Sequence, residues 1–419
     1  MLHCSRIRQF LSSFTCGLLI AALFAGIAAS QDAYEAQSHS VTNFLVVGGG
    51  GAPSYNEIAL EKNVLYFQRT LRTMGYKPEK VASMFFANGN DGKATVRYLD
   101  NQGQEQFKAP QIPNLKGAAT LTNLQRYFQQ TVSQNPSRNL FFYFTGHGER
   151  NPQDLDNNFL LLWDEQPLNV REFTQLLDWV PSQRSIVAMM AQCFSGSFAN
   201  FIYESGDPSR PVALQTRCGF FATIKTRTSV GCTPAVNEAD YRDYSSSFFA
   251  GLSGRDRTGK VVASADYNKD GRVSYTEAHA FAKVDENSTD LPLSTSEAWL
   301  RRNISQQEQE ALLSQPINQL VQTARPEQRY VVNSLVKMFS LDGQKSVLKN
   351  VETLSPSKVS SDEQKAYLTR LGLELINIGT EKQLRATGNQ KDIATLEHLV
   401  NCEGGAWVRR DRANLKAEL

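Results

Sequence analysis

The chain has 419 residues, 41% hydrophobic and 21% charged, enough apolar material for a sizeable core and for more than one domain. Its net charge is +2, and the excess is Arg6 and Arg8 near the start; everything after residue 30 balances the 42 acidic side chains. That neutrality gives no basis for binding nucleic acid or an anionic membrane.

Residues 1–30 carry the pattern of a secretory signal: basic Arg6 and Arg8, an apolar stretch over 16–29, and small Ala28 and Ser30 before Gln31. The stretch is short for a membrane span of about 20 residues. The mature chain is therefore expected to be secreted or periplasmic, without stable membrane insertion. Cys4 and Cys16 leave with the signal; Cys193, Cys218, Cys232 and Cys402 remain. Cys218 and Cys232 either pair or stay as buried thiols, and the sequence does not choose between these.

Residues 43–47 read as a strand, followed by glycines at 48–51. The run lacks both GxxxxGK[ST] and a GxGxxG with a matching acid, so it does not indicate a nucleotide site. A helix is predicted over 55–74, with an apolar stripe of Ile58, Val64, Leu65, Leu71 and Met74. A strand follows at 81–87. Residues 94–99 and 105–108 flank Asn101-Gln102-Gly103 as a hairpin, and 121–132 is helical. The run NLFFYFTGHGE (139–149) is a strand ending at His147. After an apolar run at 159–163 and a helix at 170–179, SIVAMMAQCFSGSF (185–198) is a strand ending at Cys193. Another strand covers 219–224, and a helix starts near 246.

Strands alternating with helices predict an α/β sandwich around a mostly parallel sheet. Beyond residue 294 strand-like runs stop. Segments 308–313, 328–339, 362–375 and 391–400 show helical spacing. The expected organisation is signal 1–30, α/β domain 31–295 and all-helical region 296–419.

Catalytic groups in parallel sheets gather at the carboxyl ends of strands, which puts His147 and Cys193, 46 residues apart, at one sheet edge. A thiol with an imidazole suits nucleophilic acyl transfer. A helix beginning after Cys193 would aim its amides at the sulfur and favour the thiolate. Gly148 permits close backbone approach, and its amide with that of Cys193 can form an oxyanion hole. His147 can protonate a leaving amine near neutral pH. Neither CxxC nor HExxH is present, so no zinc motif competes with this reading.

From these residues the chain resembles the caspase-like cysteine peptidases, and within them the legumain type, over roughly 43–299. YFTGHG around His147, CFSGSF around Cys193, GFFAT (219–223) and YSSSFF (244–249) carry the resemblance. It implies a caspase-like α/β/α fold, protein or peptide substrates, a Cys193–His147 dyad and Gly148 as oxyanion donor. It also implies possible peptide-ligase activity and a C-terminal helical region that covers the site and inhibits it. Legumains place an Asn after the first strand to orient the histidine, and Asn56 falls there; it is equally placed to be a helix N-cap. Two pocket positions depart from the family: Ile58 where it has Arg, and Ala191 where it has Glu. Ser229 and Asp240 fall near other pocket positions. Asp240 either selects a basic side chain or is a solvated loop acid.

Residues 266–277 (DYNKDGRVSYTE) fit a calcium loop of the EF-hand type. Asp266, Asn268, Asp270, Ser274 and Glu277 offer side-chain oxygens, Arg272 a carbonyl, and Gly271 the sharp turn. No second loop exists, so structural Ca2+ is expected rather than sensing, and no organic cofactor. Legumains generally lack this loop, so the resemblance points to a divergent, bacterial branch. Asn287 and Asn303 head glycosylation sequons, which matter only in a eukaryotic source. The reading is an exported cysteine endopeptidase; the rival is a non-catalytic calcium-binding interaction module on a peptidase-like fold.

Overall fold

The computed structural model of the protein describes residues 42–132, 139–387 and 389–407. The signal-like segment, with Cys4 and Cys16, lies outside the described residues.

Strand β1 (Thr42–Gly49) is nearly all buried and is followed by helix α1 (Ile58–Thr73) and strand β2 (Ala82–Phe86). The predicted hairpin forms from β3 (Val96–Leu99) and β4 (Glu105–Lys108), paired antiparallel. Helix α2 (Leu121–Arg126) continues as a π-helical turn, Tyr127–Val132. Then come β5 (Asn139–Gly146), the small antiparallel sheet β6 (Gly148–Glu149), β7 (Phe159–Leu162) and β8 (Gln166–Asn169), helix α3 (Val170–Leu177), β9 (Ile186–Ala191) and β10 (Arg217–Phe221). Helices α4 (Tyr244–Ser253) and α5 (Tyr275–Asp285) precede a two-residue strand, β11 (Leu293–Ser294). The remaining chain includes α6 (Thr295–Arg302), α7 (Gln306–Leu313), α8 (Pro326–Phe339), α9 (Asp362–Thr387) and α10 (Gln390–Glu403).

The main sheet has six strands in the order β11-β10-β9-β5-β1-β2, parallel except for the antiparallel edge β11. Its strands are apolar on both faces, because side chains alternate and each face is covered. Leu45, Val47, Phe142, Phe144, Ile186 and Met190 face one core, with Phe173 of α3 and Trp299 of α6. Phe44, Val46, Phe141, Tyr143, Val187 and Met189 face the other, with Phe67 of α1, Phe249 of α4 and Tyr275 of α5. The result is an α/β/α arrangement, and each buried Phe or Val contributes roughly 1.5–3 kcal/mol over leaving it exposed.

The helical region builds a third core, including Val331, Leu335, Leu371 and Leu375, to which Ala280 of α5 also belongs. It also reaches the sheet: Leu396 and Leu399 of α10 enter one face. Trp407 enters the other, with ring centroids 4.9 Å from Phe44 and 5.0 Å from Phe141. Cys218 of β10 is bonded to Cys402 of α10, and Cys232 is a free thiol. Neither sequence alternative for Cys218 holds; its partner lies 184 residues away and is brought there by the packing of α10. Among the described residues no helix is long and apolar enough to cross a membrane.

Candidate active site

β5 lies between β1 and β9, with Gly146 opposite Gly49 and Thr145 opposite Ala191. His147 directly follows β5, and Cys193 stands two residues past β9. Both reactive side chains therefore leave the same carboxyl edge on neighbouring strands, as parallel topology requires.

The glycines after β1 allow a tight fold-back. A Cβ on Gly50 would lie 1.9 Å from the Tyr55 carbonyl oxygen, and the Gly50 amide donates to Asn56 Oδ1 at 2.9 Å. The Asn56 Nδ2 donates to the Thr95 carbonyl at 3.2 Å. Asn56 is fully buried and holds the loop together through these two bonds, and the N-cap of α1 is Glu57. The N-cap reading of Asn56 is therefore corrected. The imidazole is held by Glu57, whose Oε2 lies 3.0 Å from His147 Nε2. Arg97 grips the other oxygen, Oε1, at 2.9 Å. Burial works against ionising Glu57, but the His147 and Arg97 contacts outweigh it and hold the carboxyl below its usual range. Tyr55 meets the imidazole edge-on at 5.4 Å.

Cys193 is partly exposed, and its sulfur receives the Ser229 amide at 3.3 Å and points at the Ser229 carbonyl at 3.6 Å. Burial pushes the thiol up; the Ser229 amide pulls it back in part, and Asp290 adds to the rise. Phe194 turns sharply with φ of 58°, and a 3-10 run, Ser195–Ile202, follows. The helix expected after Cys193 is thus a 3-10 run, and the loop amide that donates to the sulfur is that of Ser229. Cys193 and His147 share no hydrogen bond among the described contacts, a common state before substrate tightens the geometry.

Gly148 packs where a side chain cannot go. A Cβ there would lie 2.2 Å from the Cys193 carbonyl oxygen. Leu161 donates to the His147 carbonyl, so in the antiparallel ladder the next pair, Gly148 with Leu160, is the non-bonded one. The Gly148 amide is thereby left out of the ladder, as an oxyanion donor must be.

The pocket residues separate. Ile58, the first residue of α1, is buried in the core, and Ala191 ends β9. Ser229 is at the site, and its hydroxyl donates to Asp290 at 2.6 Å. Asp240 is exposed, and its carboxylate accepts from Asn237 of the same turn. The acid that reaches the loop holding Ser229 is Asp290, which also accepts the Val230 amide at 3.1 Å. Burial raises Asp290 to about 6, and Glu286 beside it is raised too. Sequence reasoning missed Glu57 and Asp290. Adjacency to Asn56 was the only signal for Glu57. Gln192, next to Cys193, is buried with both amide atoms unpartnered.

In the calcium loop, Asp266 accepts from the amides of Asp270 and Gly271, Asn268 from Asp270, and Asp270 from Arg272. Lys269 and Gly271 take positive φ. Glu277 is buried and reaches back across the loop to the amides of Tyr267 and Asn268. The oxygen-only donor set and the curled backbone suit a calcium ion, which Asp266, Asn268, Asp270, the Arg272 carbonyl, Ser274 and Glu277 would hold.

No protein-family model matches the chain, and no curated protein matches it.

Proposed function

We propose that the chain is an exported cysteine endopeptidase of caspase-like, legumain-type fold. The observation that carries this is the arrangement at the sheet edge: His147 and Cys193 on adjacent strands, the imidazole fixed by Glu57, and Gly148 against the Cys193 carbonyl. The nucleophile, the base and the group that orients the base form the logic of a catalytic triad.

In this reading Cys193 attacks the peptide carbonyl. Its thiol proton passes to His147 and then to the leaving amine as the C–N bond breaks. The carbonyl oxygen takes up charge facing the amides of Gly148 and Cys193. Water then hydrolyses the thioester; an incoming amine in its place would give peptide ligation. The Cys218–Cys402 disulfide supports an oxidising compartment, secreted or periplasmic. Calcium in the 266–277 loop would brace α5. The C-terminal region supports a regulatory role through Arg370 of α9, which donates to the carbonyls of Lys283, Glu286, Ser288 and Asp290, behind the loop that holds Ser229.

The test is mass spectrometry of a diverse peptide library incubated with the chain and calcium, against Cys193→Ala. Cuts that need Cys193 support the peptidase and identify the residue before the scissile bond. The rival, a calcium-binding interaction module, draws on the raised Cys193 thiol with no bond to His147. It is favoured if Cys193 also ignores a thiol-reactive peptide probe while calcium binds.

A further inference from the structure

The imidazole of His147 has a second thiol beside it. Glu57, His147 and Cys232 each bring one ligand atom, an oxygen, a nitrogen and a sulfur, to within 4.8 Å of one another. The three come from separate segments: the start of α1, the end of β5 and the loop after β10. Arg97 holds one Glu57 oxygen and so turns the other, Oε2, toward the ring at 3.0 Å. Cys232 is exposed and unpaired, because Cys218 is taken by Cys402. The cluster thus has a fixed buried floor and an open side.

Zinc bonds of about 2.0–2.3 Å in tetrahedral geometry place N, O and S ligands about 3.3–3.6 Å apart. Closing the present separations to that range takes side-chain shifts of about an ångström, on the scale of the difference between those spacings. The donors discriminate among metals. Oxygen-only sets suit calcium, as in the 266–277 loop; a set with imidazole and thiolate suits zinc. Three protein ligands leave the fourth position for water.

We propose that Glu57, His147 and Cys232 form a Zn2+ site that inhibits the dyad. Zinc takes the place of the proton shared by His147 and Glu57. The displaced proton moves to the other ring nitrogen, so the imidazole stays neutral, and the Cys232 thiol releases its proton to solvent. His147 then has no lone pair with which to receive the Cys193 proton. The inhibition rests on the peptidase reading; metal binding does not.

The experiment titrates Co2+, a spectroscopic stand-in for zinc, into the full chain, with the calcium loop saturated beforehand. Sulfur-to-cobalt absorption is expected in the native chain and in Cys193→Ala, is lost in Cys232→Ser, weakens at least tenfold in Glu57→Gln, and is displaced by Zn2+. Absorption that survives Cys232→Ser and disappears in Cys193→Ala overturns the site. For inhibition, Zn2+ is titrated into peptide cleavage. Cys232→Ser is expected to leave zinc-free activity within about twofold and to raise the inhibitory zinc concentration at least tenfold. Zinc binding that leaves cleavage unchanged overturns the inhibitory role. A zinc-free chain that cuts nothing counts against the peptidase, while cobalt absorption alone still decides the metal site.

Discussion

Asn56 and Glu57 are neighbours with different duties. The Asn56 amide satisfies two buried backbone groups, Gly50 N–H and the Thr95 carbonyl. The Glu57 carboxylate reaches the imidazole. Losing either buried partner of Asn56 strands a polar group at about 1–3 kcal/mol. Asn56→Ala should therefore lower Tm first and activity only as a consequence of loosening. Glu57→Gln keeps the shape but loses the charge that fixes the tautomer and steadies the imidazolium. It should lower kcat by roughly 10²–10⁴-fold, up to the loss seen when a triad's orienting acid becomes an amide, with KM little changed. Steady-state kinetics and thermal melts on both variants check this. A large kcat loss in Asn56→Ala at unchanged Tm would return the orienting role to Asn56. Sequence pattern leads to the right loop, since an amide after the first strand marks it. It does not lead to Glu57, because which of two adjacent side chains faces the histidine depends on the turn at Pro53–Tyr55.

At the level of elements, β5 and β9 were legible because both run apolar without a break, the signature of strands covered on two sides. Their parallel pairing then places His147 beside Cys193. The turn after Cys193 was not legible as a 3-10 run, because the same small and aromatic residues suit an α-helix. Residues 286–290 were also illegible, as their meaning comes from burial. Asp290 holds Ser229 and Val230, and Arg370 clamps the segment through its carbonyls. With Asp290 raised to about 6, the fold prefers its neutral acid. The stability this contributes is full below the ordinary Asp range and is lost as pH rises through about 6. It amounts to at most ~3 kcal/mol, because each pKa unit is worth about 1.4 kcal/mol. Glu286, raised by burial as well, moves in the same direction. Asp290→Asn stays neutral, so its Tm should gain on the native chain between about pH 4 and pH 7. Parallel Tm curves across that range would show that Asp290 does not carry the effect. The calcium loop feeds α5, which runs into this same segment. Calcium at 100 times its Kd should stabilise by about 2.7 kcal/mol, read as a rise in Tm that Glu277→Gln abolishes.

Across the whole molecule, the helical region is fastened to the sheet at both faces and by a covalent bond. Removing residues 296–419 would strip Leu396, Leu399 and Trp407 from the cores and leave Cys218 without its partner. Loss of activity on truncation would then report unfolding, so an inhibitory role must be tested with the chain held in place. The disulfide allows that. The segment before α9 includes exposed Ser355, Pro356 and Ser357 and lies between the two bonded cysteines. Exposed stretches of this kind are the preferred sites of nicking. A protease site built there and cut should give two pieces that migrate together without reductant and separate with it. The nicked chain should keep its fold, since the disulfide, typically worth about 2–5 kcal/mol, still closes the assembly. If α9 restrains the Ser229 loop through Arg370, nicking should raise cleavage of a peptide substrate while the melt stays cooperative. Unchanged cleavage by the nicked, folded chain would mean that the helical region supports the fold and does not restrain the site.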